Sequence, residues 1–315
     1  MTPVNPIKNA WSFLCEKVTG KITNEDRLRK EIERVGIEAL ARANPELLKN
    51  EEMIKFTVKT LSMDEEKVFK TALSFFGEKV LEYADPKIKN NEKFIKIALE
   101  DYQEKVLQYA GSEILNNKEF IKFSLKNYGE QTFKYASAEI QDNLEMLLYA
   151  LKEGKNHFKS NGVAFQFASK RLQDNSEALK AAIEKQQSYD CGIPDALQEE
   201  MPFKYASDNL KNNIEIGLLA VKKNPLAILY AGKNVKDDNE IMLAALQRCG
   251  HMLEHANEEQ KENKELVTAA TENEPKSIQF AASEIRDNPG IMIPLIEKDG
   301  GIIFFAGETV RKQIK

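Results

Sequence analysis

Residues 133–143 read FKYASAEIQDN, and residues 203–213 read FKYASDNLKNN. The two share an aromatic, a Lys, Tyr-Ala-Ser, an aliphatic residue and a polar pair ending in Asn. Taking the Ala of Tyr-Ala as an anchor and searching outward finds it again at Ala84, Ala110, Ala136, Ala168, Ala206, Ala231, Ala256, Ala281 and Ala306. The intervals are 26, 26, 32, 38, 25, 25, 25 and 25 residues. A fixed period of this length is the mark of a repeat architecture.

The repeat carries a hydrophobic grammar. One position before the anchor is aromatic in every copy except His255, and three before it is a large apolar residue, from Leu81 to Ile303. Four after it is aliphatic except at Gln260. Offsets of minus three, zero and plus four trace one face of a helix, which places the small anchor at the centre of that face. The small residue after the anchor (Gly111, Ser137, Ser169, Ser207, Gly232, Gly307) is expected to receive the aromatic ring of an adjacent unit, with Tyr135 reaching toward its neighbour. Six after the anchor stands Asx, as in Asn90, Asn116, Asp142, Asp174, Asn212, Asp237 and Asp287, often with Glu three residues later. That pattern predicts an N-cap with a capping-box partner and a second helix. Apolar pairs at plus ten and eleven and at plus fourteen and fifteen, such as Phe94, Ile95, Ala98 and Leu99, supply its buried face.

The expected fold is therefore all-α. Two-helix units of 25 to 26 residues cannot bury their apolar faces alone, so about nine to ten of them stack into an α-solenoid. A weaker copy surrounds Ala43, with Leu47 and Asn50 in place, and DEEKVFKTALSFF fills the longer gap to Ala84 with one further helix. Residues 1–35, which hold Trp11, are assigned to an N-terminal helical cap and residues 36–315 to the solenoid. Two insertions, near 152–162 and 185–200, interrupt the period; they follow consecutive units, and insertions in repeat proteins gather on one face, often a binding face.

Composition narrows the function. The 315 residues are 42% hydrophobic, with 45 Lys+Arg interleaved among 50 Asp+Glu, and lack the single-sign field of a nucleic-acid binder. Lys96, Lys122 and Lys180 share a register twelve after the anchor, but Leu148, Leu218 and Leu243 take that register elsewhere and break any basic track. These leucines, with Leu229 at a position that is Glu, Gln or Lys in other units, read as thicker core or as an exposed surface for a protein partner. No segment is apolar enough to span a bilayer, and the opening MTPVNPIKNAWSFLCEKV has no Sec-type pattern, so a cytoplasmic location is expected. Cys15, Cys191 and Cys249 lie far apart, as in a chain with reduced thiols.

Chemical motifs are sparse. Cys249, His251 and His255 lie in CGHMLEH; His255 occupies the aromatic slot and reads as a packed core histidine rather than a metal ligand. His157 and Cys191 fall in the two insertions, where a Cys-His pair would give an enzyme or an enzyme inhibitor. No phosphate-binding loop, dinucleotide fingerprint or zinc spacing is present, and no cofactor or metal is expected. The favoured function is a protein–protein interaction scaffold binding through its extended surface and the insertions.

The unit as a whole, in FKYASAEIQDN and ILYAGKNVKDDNEIMLAAL, resembles the tandem helical repeats of domain of unknown function 4116 over roughly residues 78–310. Such repeats occur in effectors that intracellular bacterial pathogens deliver into host cells. The resemblance implies a host-directed role, a host protein as partner and delivery without a Sec-type leader. It brings no catalytic residues.

Overall fold

The computed structural model describes residues 21–154, 162–188, 190 and 201–314. It is all-helical; among the described residues the only β-pairing is an isolated parallel bridge between Ile22 and Ala43. The chain divides into two compact units, the first ending at Ser137 and the second beginning at Ala138. Trp11 and most of both insertions lie outside the described residues.

The repeat has three segments rather than two. A short helix runs into the anchor Ala, 3-10 in Glu130–Tyr135 or Pro225–Tyr230 and α in Lys79–Tyr83 and Pro202–Tyr205, and a second short helix follows, such as Asp208–Lys211 or Lys233–Lys236. The anchor is its break: Ala84, Ala110, Ala168, Ala206, Ala231, Ala256, Ala281 and Ala306 are all extended C-caps, with Ala231 at φ −68° and ψ 150°. The expectation of one continuous first helix is thereby corrected. Offsets of minus three, zero and plus four are buried except at Ala110 and Ile303, which are half-buried, yet a short helical turn, one extended residue and a second short helix reach the same core as a single helix would.

The third segment is a long α-helix. In the first unit these are α1 (Glu25–Val35), α2 (Glu51–Thr60), α3 (Glu66–Phe76), α4 (Glu92–Tyr102) and α5 (Lys118–Tyr128). In the second they are α6 (Leu144–Glu153), α7 (Ser176–Lys185), α8 (Ile214–Lys223), α9 (Asn239–Leu246), α10 (Lys264–Asn273) and α11 (Pro289–Lys298). α3 is the extra helix anticipated before Ala84. The paired apolar positions are buried as expected, from Phe94, Ile95, Ala98 and Leu99 to Ile241, Met242, Ala245 and Leu246.

The cap of each long helix stands one residue later than the sequence suggested. Asn91, Asn117, Asn143, Asn175, Asn213, Asp238, Asn263 and Asn288, seven after the anchor, accept backbone N–H bonds from the first turn. Such a cap contributes about 1 kcal/mol. The glutamates expected as capping-box partners do not reach back; the one capping box among the described residues joins Asn257 and Gln260.

The Asx at plus six also caps a helix, but the short helix of the next repeat. Where the following repeat has Gly after its anchor, no side chain is available there, and the Asx supplies the acceptor. Asn90 Oδ1 accepts from Glu113 N at 3.2 Å, Asn212 Oδ1 from Asn234 N at 3.2 Å and Asp287 Oδ1 from Thr309 N at 2.7 Å. A Cβ on Gly111, Gly232 or Gly307 would collide with Asn90, Asn212 or Asp287 respectively. Where the residue is Ser, Ser169 and Ser207 cap their own helices and donate their hydroxyls to Asp142 and Asp174. The small residue therefore makes room for an Asx side chain; Tyr135 is half-buried, but it is Asn116 that binds the Ser137 hydroxyl, at 2.6 Å. The Asp142 carboxyl is held below its ordinary value by Ser169 and then Arg171, and that of Asp287 by Thr309.

A backbone rung accompanies each cap. The N–H after the anchor donates to the carbonyl five after the preceding anchor: Gly111 to Lys89 and Ser137 to Leu115 in the first unit; Ser169 to Gln141, Ser207 to Gln173, Gly232 to Lys211, Ala282 to Lys261 and Gly307 to Arg286 in the second, all at 2.8–3.0 Å. Gln260 explains its own exception to the aliphatic rule. Its Oε1 accepts from Asn257 N at 3.1 Å and its Nε2 donates to Lys236 O at 3.0 Å, so a buried side chain replaces the missing rung.

Candidate functional site

On each long helix the positions ten, eleven, fourteen and fifteen after the anchor face the core. At 100° per residue, positions nine and sixteen then face outward, while twelve and thirteen flank them on opposite sides. Consecutive long helices pack side by side within the units, as in α3 with α4 and α6 through α10 in succession. The plus-twelve flank of one helix meets the plus-thirteen flank of the next, and the groove between them is the recurring surface feature.

In the first unit this groove is cationic and aromatic. Between α3 and α4 it encloses about 520 Å³ beside Lys70, Lys93, Lys96, Ile97, Glu66 and Glu92. Lys70 and Lys93 pair with Glu66 at 2.5 and 2.8 Å and pull its carboxyl from 4.5 to about 2. Lys96 pairs with Glu92 and sits 4.3 Å from the ring centre of Phe123 on α5. These lysines spend their charge on the molecule itself.

In the second unit the same register is apolar. Leu148, Leu218 and Leu243 are half-buried on α6, α8 and α9, and small residues, Ala181, Ala244 and Ala269, stand at plus thirteen on α7, α9 and α10. Between α9 and α10 the groove encloses about 470 Å³, lined by Leu243, Thr268 and Ala269 with Lys264, Glu265 and Glu272 at its edge. Ile214, 43% exposed, extends the apolar flank one turn from Leu218. Leu229 is half-buried too, but it lies on the 3-10 helix Pro225–Tyr230 and does not join this row.

A column of exposed glutamates follows the row at plus nine: Glu177, Glu215, Glu240 and Glu265 on α7 to α10. Sequence reasoning assigned the first three of these to capping, and their second role is visible only once the helices are packed. Lys180, the lysine within the row, reaches across to Glu215 on the next helix at 2.6 Å. Where the row carries Leu instead, at Leu148, Leu218 and Leu243, the facing Glu177, Glu240 and Glu265 have no ion-pair partner among the described residues.

The remaining candidates do not assemble into a site. His251 and His255 lie on the 3-10 helix Gly250–His255, and both are exposed. The reading of His255 as core is corrected: the aromatic slot lies at the rim of the repeat, where Tyr205 and Tyr230 are also only half-buried or marginal to the core. His251 lies 3.5 Å from Glu274 and 3.6 Å from Glu254, with its ring edge-on to Phe280. No group of three metal-ligating side chains occurs among the described residues. Cys249 is buried and disulfide-bonded, which corrects the expectation of reduced thiols throughout. Cys191 and His157 lie outside the described residues. No described helix is long and apolar enough to cross a membrane.

The described residues define an all-α protein. Residues 196–236 and 218–261 match the model of a family described as domain of unknown function (DUF4116). That is the family the repeated motif resembles, matched here within the 78–310 span. No curated protein matches the chain.

Proposed function

We propose that the chain is an α-solenoid of nine to ten repeats that serves as a protein–protein interaction scaffold. The observation that supports this most directly is the inter-repeat ladder. The same rung geometry recurs within each of the two units, as a chain built of one repeated packing step requires. A repeat array of this kind presents an extended surface to a partner. The half-buried leucines of the second unit are the contact residues of choice. A host protein is the partner suggested by the effectors in which similar repeats occur.

Capture from host and bacterial lysates tests the proposal. The intact chain is expected to retain a defined protein partner, and replacement of residues 152–162 and 185–200 by short linkers to weaken it. Recovery of no partner by the intact chain overturns the scaffold reading; equal recovery by the shortened chain removes the insertions from it.

A further inference from the structure

We infer that the outer face of α8 to α10 docks a basic amphipathic helix, a proposal that rests on the scaffold reading and names the chemistry of its partner. The chain carries its own precedent. Lys180 occupies the row and neutralises Glu215 on the next helix. One and two helices further on, Leu218 and Leu243 replace that lysine, and Glu240 and Glu265 stand without an ion-pair partner among the described residues. Apolar flank and unpaired carboxylates thus lie side by side in the same register, and a ligand that covers the leucines brings its own cations to the glutamates.

Spacing specifies the ligand further. Packed helices lie about 8–10 Å apart, and a helix rises about 1.5 Å per residue, so cations meeting Glu240 and Glu265 fall about five to seven residues apart, and a spacing of seven keeps them on one edge. Apolar residues three and four positions from them meet Leu218 and Leu243. Such a ligand lies across α8 to α10 and reads their outer face through anchors on one side of its own helix.

The test uses the full chain and a capped 22-residue peptide with Leu at three- and four-residue spacing and Lys at every seventh position, followed by fluorescence anisotropy. Saturable binding is expected. Leu218→Lys with Leu243→Lys imitates the Lys180 arrangement, so the fold survives while the glutamates are neutralised from within; binding falls at least tenfold. Glu240→Lys with Glu265→Lys loses the Lys peptide and gains its Glu counterpart. The inference is overturned if both double variants bind as the parent does, if a shuffled peptide of the same composition binds equally, or if the parent ignores the peptide. It is equally overturned if the face proves to be a self-association surface, seen as a dimer that Leu218→Lys with Leu243→Lys dissociates. A chain that ignores the peptide but still captures a protein from lysate keeps the scaffold reading and loses this one.

Discussion

The groove between α3 and α4 and the groove between α9 and α10 both lie between neighbouring long helices, and they differ in the side chains on their flanks. In the first, Lys70 and Lys96 find carboxylates on their own helices. In the second, Leu243 leaves the facing Glu265 without a cation among the described residues. The lesson is that a repeat separates two tasks: the buried positions and the ladder are constant because each copy must stack, while the groove positions are free to differ. Function is therefore sought where copies disagree.

That separation can be broken from the ladder side first. Gly232→Leu places a side chain where Asn212 lies and should abolish the Gly232–Lys211 rung with its cap, lowering stability by about 3 kcal/mol or more, measured by urea denaturation. A melt unchanged from the parent contradicts the ladder's role. Gln260→Ala strands the Asn257 N–H and the Lys236 carbonyl and should cost about 2 kcal/mol, a loss far larger than for the exposed neighbour Glu259. Asn175→Ala removes one long-helix cap and should cost about 1 kcal/mol in the same assay.

The groove side gives smaller shifts in stability. Lys96→Leu with Lys122→Leu and Phe123→Ala gives the first unit the second unit's chemistry, since it also removes the cation paired with Glu119. It should leave the melting temperature within a few degrees while creating a second site for the Lys-bearing peptide; one site before and after would show that the row alone does not decide binding. Acid separates the two regions more gently. Glu66, lowered from 4.5 to about 2, favours the folded state above pH 4.5 and loses that contribution as pH falls toward 2. Glu66→Gln should therefore flatten the acid limb of the stability profile, measured by urea denaturation at stepped pH.

Much of the fold was legible because its strongest signals are local. The period of the anchor Ala, the buried quartet such as Phe94, Ile95, Ala98 and Leu99, and the extra helix Glu66–Phe76 all follow from spacing alone. The break at the anchor was not legible, since a short helix after one extended residue satisfies the same offsets as a continuous helix. The one-residue error in the cap has a related cause. Asp142 and Asn143 are both good caps, and only packing shows that Asn143 serves its own long helix while Asp142 turns to Ser169 of the next repeat. For the candidate site, the leucine row was readable as a departure from Lys, but the unpaired Glu240 and Glu265 emerge only when neighbouring helices are set side by side. His255 misled because an aromatic slot need not be a buried one.

The trans-acting caps give the array a direction. Except at Gln260, a repeat offers a carbonyl and an Asx side chain on one side and an N–H beside a small residue on the other, as Lys211 with Asn212 and Gly232 with Asn234 show. A repeat is thus plug and socket at once. A chain divided between Asn212 and Gly232 leaves two ends that are complementary to each other and not to themselves, so the halves can rejoin head to tail but neither can pair with its own copy face to face.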